Sequence, residues 1–203
     1  MTIRLHKGDL PEAWQYGDAV AVDTETLGLN PHRDRLCLVQ LSGGDGTADL
    51  VQVEAGQSAA PNLAKLLADP SITKLFHYAR FDVAVLYSAF GVMAEPLYCT
   101  KIASRLARTY TDRHGLKDLV KELLDIDLSK QQQSSDWGNE KLSEAQKAYA
   151  ASDVVHLHAL REKLDRQLAR EGRSDLAAAC FRFVPVRARL DLAGWQDEDI
   201  FAH

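Results

Sequence analysis

The stretch VAVDTET, residues 20 to 26, constrains this chain more than any other. Its apolar residues pattern it as a buried strand, yet it places Asp23 and Glu25 two residues apart. Side chains alternate faces along a strand, so both carboxylates project the same way, together with Ala19 and Ala21. Val20, Val22 and Thr24 point to the opposite face. Desolvating a charge is expensive, and a buried carboxylate is normally paired or bound to a cation. The small alanines on the carboxylate face leave room for other groups to approach.

At 203 residues, 46% of them hydrophobic and 26% charged, the chain has the size and composition of one globular domain with a full core. No apolar run is long enough to cross a bilayer, so no membrane partner is expected. The start, MTIRLHKGDLPEAW, lacks the pattern of a secretory leader, which makes the cytoplasm the expected location. Cys37, Cys99 and Cys180 lie far apart without a paired spacing. They read as small buried apolar residues, neither a disulfide framework nor a zinc site. A formal net charge of −5 argues against coating long duplexes through many phosphate contacts. Basic residues still gather at 101, 105, 108, 113, 117 and 121, against Asp112 and Asp118.

Short segments with turn residues between them predict strands at 20–26, 36–41 and 48–53, the last two forming a hairpin through GGDG at 43–46. Those glycines read as turn-formers, because a strand follows them and not the helix that a phosphate cradle needs. Residues 61–69 predict a helix with Pro61 in its first turn. Residues 74–78 predict a strand, 81–90 a helix closed by Gly91, and 96–100 another strand. KIASRLARTY and GLKDLVKELL predict two helices, and 125–141 a polar loop. Ser143 with Gln146 forms a capping box that predicts one long helix running to Gly172. A last helical segment from Asp175 is expected to break at Pro185. Strands followed by alternating helices and strands indicate an α/β fold, a mixed sheet with flanking helices.

Further acidic residues could join the strand. Tyr149 and Asp153 are four apart and share one helical face. Asp82 falls where a strand ends and a helix begins. Each also has a structural reading: Asp82 as a helix cap, Asp153 as a solvated charge, Tyr149 as core, and Asp23 with Glu25 as a frayed strand end. His156 and His158, two apart on a helix, do not share a face and are not read as ligands.

Taken together, DTE, HYARFD and YAASD, in this order and at these separations, resemble the three exonuclease motifs of the DEDD superfamily of 3′-to-5′ exonucleases. LCLVQL, HGLKDLVKELLDIDLSKQQQSSDW and LSEAQKAYAASDV add a resemblance to ribonuclease D, covering roughly Val20 to Leu160. His77 stands where proofreading exonucleases usually carry Asn, as in ribonuclease D. Ala148 stands where the histidine subclass would carry its His, and Tyr149 follows, which selects the tyrosine subclass. The resemblance implies a ribonuclease H-like sheet in a single exonuclease domain over 1–203, with a core at about 20–172 and a helical extension at 173–203. The C-terminal helical RNA-binding domains of full-length ribonuclease D are not expected.

It further implies a hydrolase using two Mg²⁺ or Mn²⁺ ions, which hard carboxylate oxygens favour over zinc. Asp23 would bridge both ions, Glu25 and Asp153 would complete the nucleophile side, and Asp82 would act on the leaving-group side through water. Tyr149, with an ordinary phenol pKa of about 10, suits orienting the attacking water better than acting as a free base. The substrate would be the 3′ end of single-stranded RNA, shortened by one nucleoside 5′-monophosphate at a time, with DNA as the alternative. Protein partners are unspecified. A catalytically silent binding module is a further alternative, disfavoured because all five motif residues are present. By the same resemblance Leu27 and Gly28 could close over the last base, with Leu29 beside them and His77 or Phe81 stacking nearby. Leu27 and Leu29 could instead only pack the core. Lys101, Arg105 and Arg108 share a helical face that could follow the phosphate backbone or simply be solvated.

Overall fold

The computed structural model describes residues 1–129, 131–132 and 134–202. Residues 130 and 133, inside the expected loop 125–141, lie outside the described residues. Six strands form one mixed sheet: β1 (Thr2–Lys7), β2 (Ala19–Thr26), β3 (Leu36–Ser42), β4 (Thr47–Gln52), β5 (Thr73–Phe76) and β6 (Leu97–Cys99), in the order β1-β4-β3-β2-β5-β6. The β2–β3 and β3–β4 pairs are antiparallel, and β1–β4, β2–β5 and β5–β6 are parallel. The hairpin through GGDG is present as expected, with left-handed Gly44 and Gly46 making its turn. Among the described residues the helices are α1 (Pro61–Ala68), α2 (Ala79–Phe90), α3 (Thr100–Ala107), α4 (Leu116–Leu124), α5 (Glu144–Val154), α6 (Leu157–Arg170) and α7 (Ser174–Leu190), followed by an irregular turn at Asp191–Trp195.

The alternation of β2 decides what lies on each side. Val20 and Val22 enter a core with Leu63, Leu66, Val83 and Leu86, from α1 and α2. Ala19 and Ala21 enter a second core with Leu119, Val154, Leu157 and Leu160, from α4 to α6. The alanines are small because helices pack closely on this face, the one that carries Asp23 and Glu25.

Four sequence expectations are corrected. β1 was not foreseen: Ile3 and Leu5 alternate with polar residues, but the strand is short, exposed and at the sheet edge, and forms by parallel pairing with β4. The strand expected at 74–78 ends at Phe76, and the helix begins at Ala79 after Tyr78, which adopts a left-handed conformation (φ 74°, ψ 42°). The single helix expected from the capping box is two, α5 and α6, parted at Val155 and His156. No Gly or Pro marks that break. Packing makes it, because α5 lies along β2, β3 and β4 while α6 turns to pack on α3. His158 Nε2 then meets the Ser42 carbonyl oxygen at 3.1 Å. Conversely, α7 continues through Pro185, which is buried with Val184 and Ala188. Packing of this helix against α2 outweighs the backbone hydrogen bond that Pro185 cannot donate.

Candidate active site

Asp23 and Glu25 stand at the end of β2, and Asp153 reaches them from the last turn of α5. One carboxylate oxygen from each lies within 4.8 Å of the others, all three residues being partly buried. Asp82 is buried in the first turn of α2, past its N-cap, so it does not cap the helix. Its Oδ1 accepts a hydrogen bond from Thr24 Oγ1 at 2.6 Å. Thr24, on the opposite face of β2, thereby ties the fourth carboxylate to the strand. Gln40, directly across the sheet from Asp23, donates from Nε2 to Asp23 Oδ2 at 3.4 Å.

Electrostatics record the strain of this gathering. Burial first, then Asp82, Asp153 and Glu25, hold Asp23 well above the usual carboxylate range. Burial, Asp153 and Asp82 push Glu25 up to about 9. Burial raises Asp82 to about 7, opposed by the Thr24 hydroxyl, and Asp153 to about 7, opposed by Tyr149. Burial and the nearby carboxylates also raise Tyr149 above its ordinary value, so the phenol keeps its proton at neutral pH. Among the described residues none of these carboxylates forms an ion pair with a Lys, Arg or His, and a set of hard oxygen donors of this kind fits divalent cations of the Mg²⁺ type.

Asp23, Glu25 and Asp153 line a cleft of about 310 Å³. His77, Tyr78 and Lys101 line it as well, as do Gly115, Lys117 and Ser129. His77 Nδ1 is 2.9 Å from Thr100 Oγ1, and burial lowers this imidazole to about 3, so it is neutral. Lys101 Nζ sits 4.1 Å above the Tyr78 ring.

The other proposed nucleic-acid contacts divide. Leu27 is 53% exposed near the carboxylate end of β2, and Gly28 follows where any Cβ would strike the Asp34 carboxylate. Leu29 is 85% exposed, so it does not pack the core. Phe81 lines a neighbouring hollow with Leu29 and Tyr78. Lys101 faces the cleft and Arg105 is exposed one turn on. Arg108 is fully buried, correcting its place on a shared basic face. Its guanidinium donates to Glu122, to Ser104 Oγ at 2.8 Å and to the Arg113 carbonyl oxygen at 2.8 Å, fixing the turn between α3 and α4. Arg108→Ala is therefore expected to cost about 2 kcal/mol and lower Tm by about 4–8 °C, read by calorimetry, without changing how RNA affinity responds to salt.

Gln40, Thr24, Tyr78, Gly115, Lys117 and Ser129 were not singled out from sequence as site residues. The pairing of Gln40 with Asp23 depends on register, the role of Thr24 on where α2 places Asp82, and the rest on how distant segments pack beside the strand. Only the basic run around 101–121 hinted at Lys117.

This sheet, with acidic residues gathered at the end of an interior strand, is the architecture of ribonuclease H-like exonucleases. Residues 8–169 match the family model described as 3′-5′ exonuclease. Ribonuclease D of Gluconacetobacter diazotrophicus is 39% identical over 160 residues, 79% of this chain. The chain spans about 40% of the length of the curated relatives it matches. NrnC of Brucella melitensis with bound Mg²⁺ has a TM-score of 0.97 at 63% identity, covering 100% of both chains. The structure of that protein bound to pGG has a TM-score of 0.97 at 64% identity, covering 100% of this chain and 99% of the other. Escherichia coli RNase D, an exoribonuclease involved in structured RNA processing, has a TM-score of 0.76 at 28% identity, covering 89% of this chain and 48% of the other. The chain belongs to the 3′-5′ exonuclease family, as its three motifs implied.

Proposed function

We propose that this protein is a 3′-to-5′ exoribonuclease that removes nucleoside 5′-monophosphates from RNA 3′ ends and also cleaves substrates as short as 5′-phosphorylated dinucleotides. The observation that carries this reading is the meeting of Asp23, Glu25 and Asp153 within 4.8 Å, with Asp82 buried and near enough to raise Asp23. Full-length likeness to a protein with bound Mg²⁺, which also binds pGG, supports the cation and the short substrate. Two Mg²⁺ or Mn²⁺ ions would lower the pKa of the attacking water and stabilise the charge that builds on the departing oxygen.

The chain's own groups then have distinct parts. Asp23, Glu25 and Asp153 would hold the cations, and Asp82 would act on the leaving-group side, its orientation set by Thr24. Tyr149, retaining its proton, orients the water by hydrogen bonding. The water gives up a proton to solvent as its oxygen bonds to the last phosphorus, the bond from phosphorus to the preceding 3′ oxygen breaks, and that oxygen takes up a proton from solvent. Leu27 closes against the terminal base, with His77 and Phe81 beside it, while Lys101 and Arg105 attract the backbone.

The test is digestion of matched RNA and DNA single strands and of pGG, with Mg²⁺, Mn²⁺ or chelator. RNA should shorten stepwise from its 3′ end and pGG should yield mononucleotides, both only with metal. Faster loss of DNA would reassign the substrate, and digestion in chelator would overturn the mechanism. Tyr149→Phe should slow the rate about a hundredfold while leaving Mn²⁺ affinity within about twofold.

A further inference from the structure

Two adjacent residues in the loop before α5 touch the two side chains on which the proposed chemistry and end recognition depend. Trp137 is 3% exposed and packs with Cys37, Leu38, Leu50 and Leu142. Its ring centroid lies 6.1 Å from that of Tyr149, at an interplanar angle of 37°. The indole Nε1 is buried and has no partner among the described residues, so ring area and not hydrogen bonding explains the tryptophan.

Gly138 lies against Leu27. A Cβ built on it would stand 2.8 Å from Leu27 Cδ2, closer than such carbons approach, and 3.2 Å from Asp136 Oδ1. Gly138 is not in the left-handed region, so space and not backbone conformation is what glycine supplies here. The corner is tied to the sheet and to α5. Gln52 Nε2 donates to the Asn139 carbonyl oxygen at 2.9 Å, and Gln146 Nε2 to that of Asp136 at 3.0 Å. Neither Trp137 nor Gly138 lines the carboxylate cleft.

We propose that the Trp137–Gly138 corner is a positioning device: Trp137 sets the ring plane of Tyr149, and Gly138 provides the seat that holds Leu27 at the edge of the cleft. The inference rests on the exonuclease reading above. Because one anchored turn serves both side chains, the group that orients water and the group that meets the terminal base are held in register. Misplacement of about 1 Å can cost a hundredfold in rate, so support of this kind has measurable consequences.

The full chain is assayed with Mg²⁺ on single-stranded RNA, with kcat, KM and the Mn²⁺-induced Tm shift measured for each variant. Gly138→Ala should raise KM about threefold or more with kcat within about twofold, and should add nothing further in a Leu27→Ala background. Trp137→Ala should lower kcat about tenfold at nearly constant KM, and Trp137→Phe, which keeps a ring, should recover most of that loss. The Mn²⁺ shift should match wild type in every variant. A Gly138→Ala effect that is absent, or equally large without Leu27, overturns the seat. A Trp137→Phe variant slowed by the full factor of about ten overturns the ring support, even if Trp137→Ala does not fold. With an active wild type these results sink this inference alone, whereas an inactive wild type sinks the exonuclease reading and the inference with it.

Discussion

Asp23→Asn is expected to reduce RNA hydrolysis by about a thousandfold or more, because several kcal/mol of charge stabilisation depend on the cations that this residue would share. The same exchange should raise the Tm of the metal-free protein near pH 8. Asp23 is held well above its ordinary range by burial and by three other carboxylates, so a neutral amide there removes the cost of either charging or protonating that carboxyl on folding. Saturating Mn²⁺ should stabilise wild type by mass action, about 2.7 kcal/mol at a hundred times Kd, since the unfolded chain has no assembled site. The Asp23→Asn variant should lose most of that gain. Activity assays paired with calorimetry check both halves. An unchanged Mn²⁺ effect in the variant would remove Asp23 from the metal site.

The second large effect is a decline in metal-free stability as pH rises. Asp82 and Asp153 hold protons to about 7 and Glu25 to about 9, whereas the same groups in the unfolded chain release theirs near pH 4. Between those limits the folded form binds more protons, so unfolding free energy falls with increasing pH, and the loss is complete above the folded values. Each tenfold difference in proton affinity between the folded and unfolded chain, where water does not screen it, is worth about 1.4 kcal/mol, or about 3–6 °C of Tm for a chain of this size. Several groups act in the opposite sense, among them His114, His156 and Lys101, each lowered chiefly by burial. His77, lowered to about 3, favours folding as pH rises through about 6.5. Lys74, lowered to about 8 by burial, does so above that value. Comparison with Glu25→Gln cancels all of these, which the two proteins share. The wild-type Tm should fall more steeply than that of the variant between pH 5 and about 9. Saturating Mg²⁺ should flatten the wild-type curve. Parallel pH profiles for the two metal-free proteins would show that the carboxylates do not repel one another as their placement requires.

Much of the site was legible because its residues sit in strongly patterned segments. Period-two alternation placed Asp23 and Glu25 on one face with the alanines, and the helical spacing of four placed Tyr149 beside Asp153. What could not be read was set by contacts between distant segments. Arg108 sits in register with Lys101 and Arg105 on its helix, yet Glu122 and the Arg113 carbonyl oxygen draw it inward. Pro185 breaks a helix by local rule, but the packing of α7 on α2 carries the helix through it. The break at Val155 and His156 has no local marker, because it arises from α5 and α6 facing different neighbours.

By itself the amino-acid order determined the strands and helices that bear the acidic residues, the direction in which those residues point, and the family to which the chain belongs. Those properties follow from backbone periodicity and motif spacing, which act over a few residues. Only the tertiary structure decided that Thr24 holds Asp82, that Gln40 faces Asp23, that Arg108 is a structural residue, and that Gly138 adjoins Leu27. These depend on strand register and on the packing of segments far apart in the chain, which no local pattern encodes.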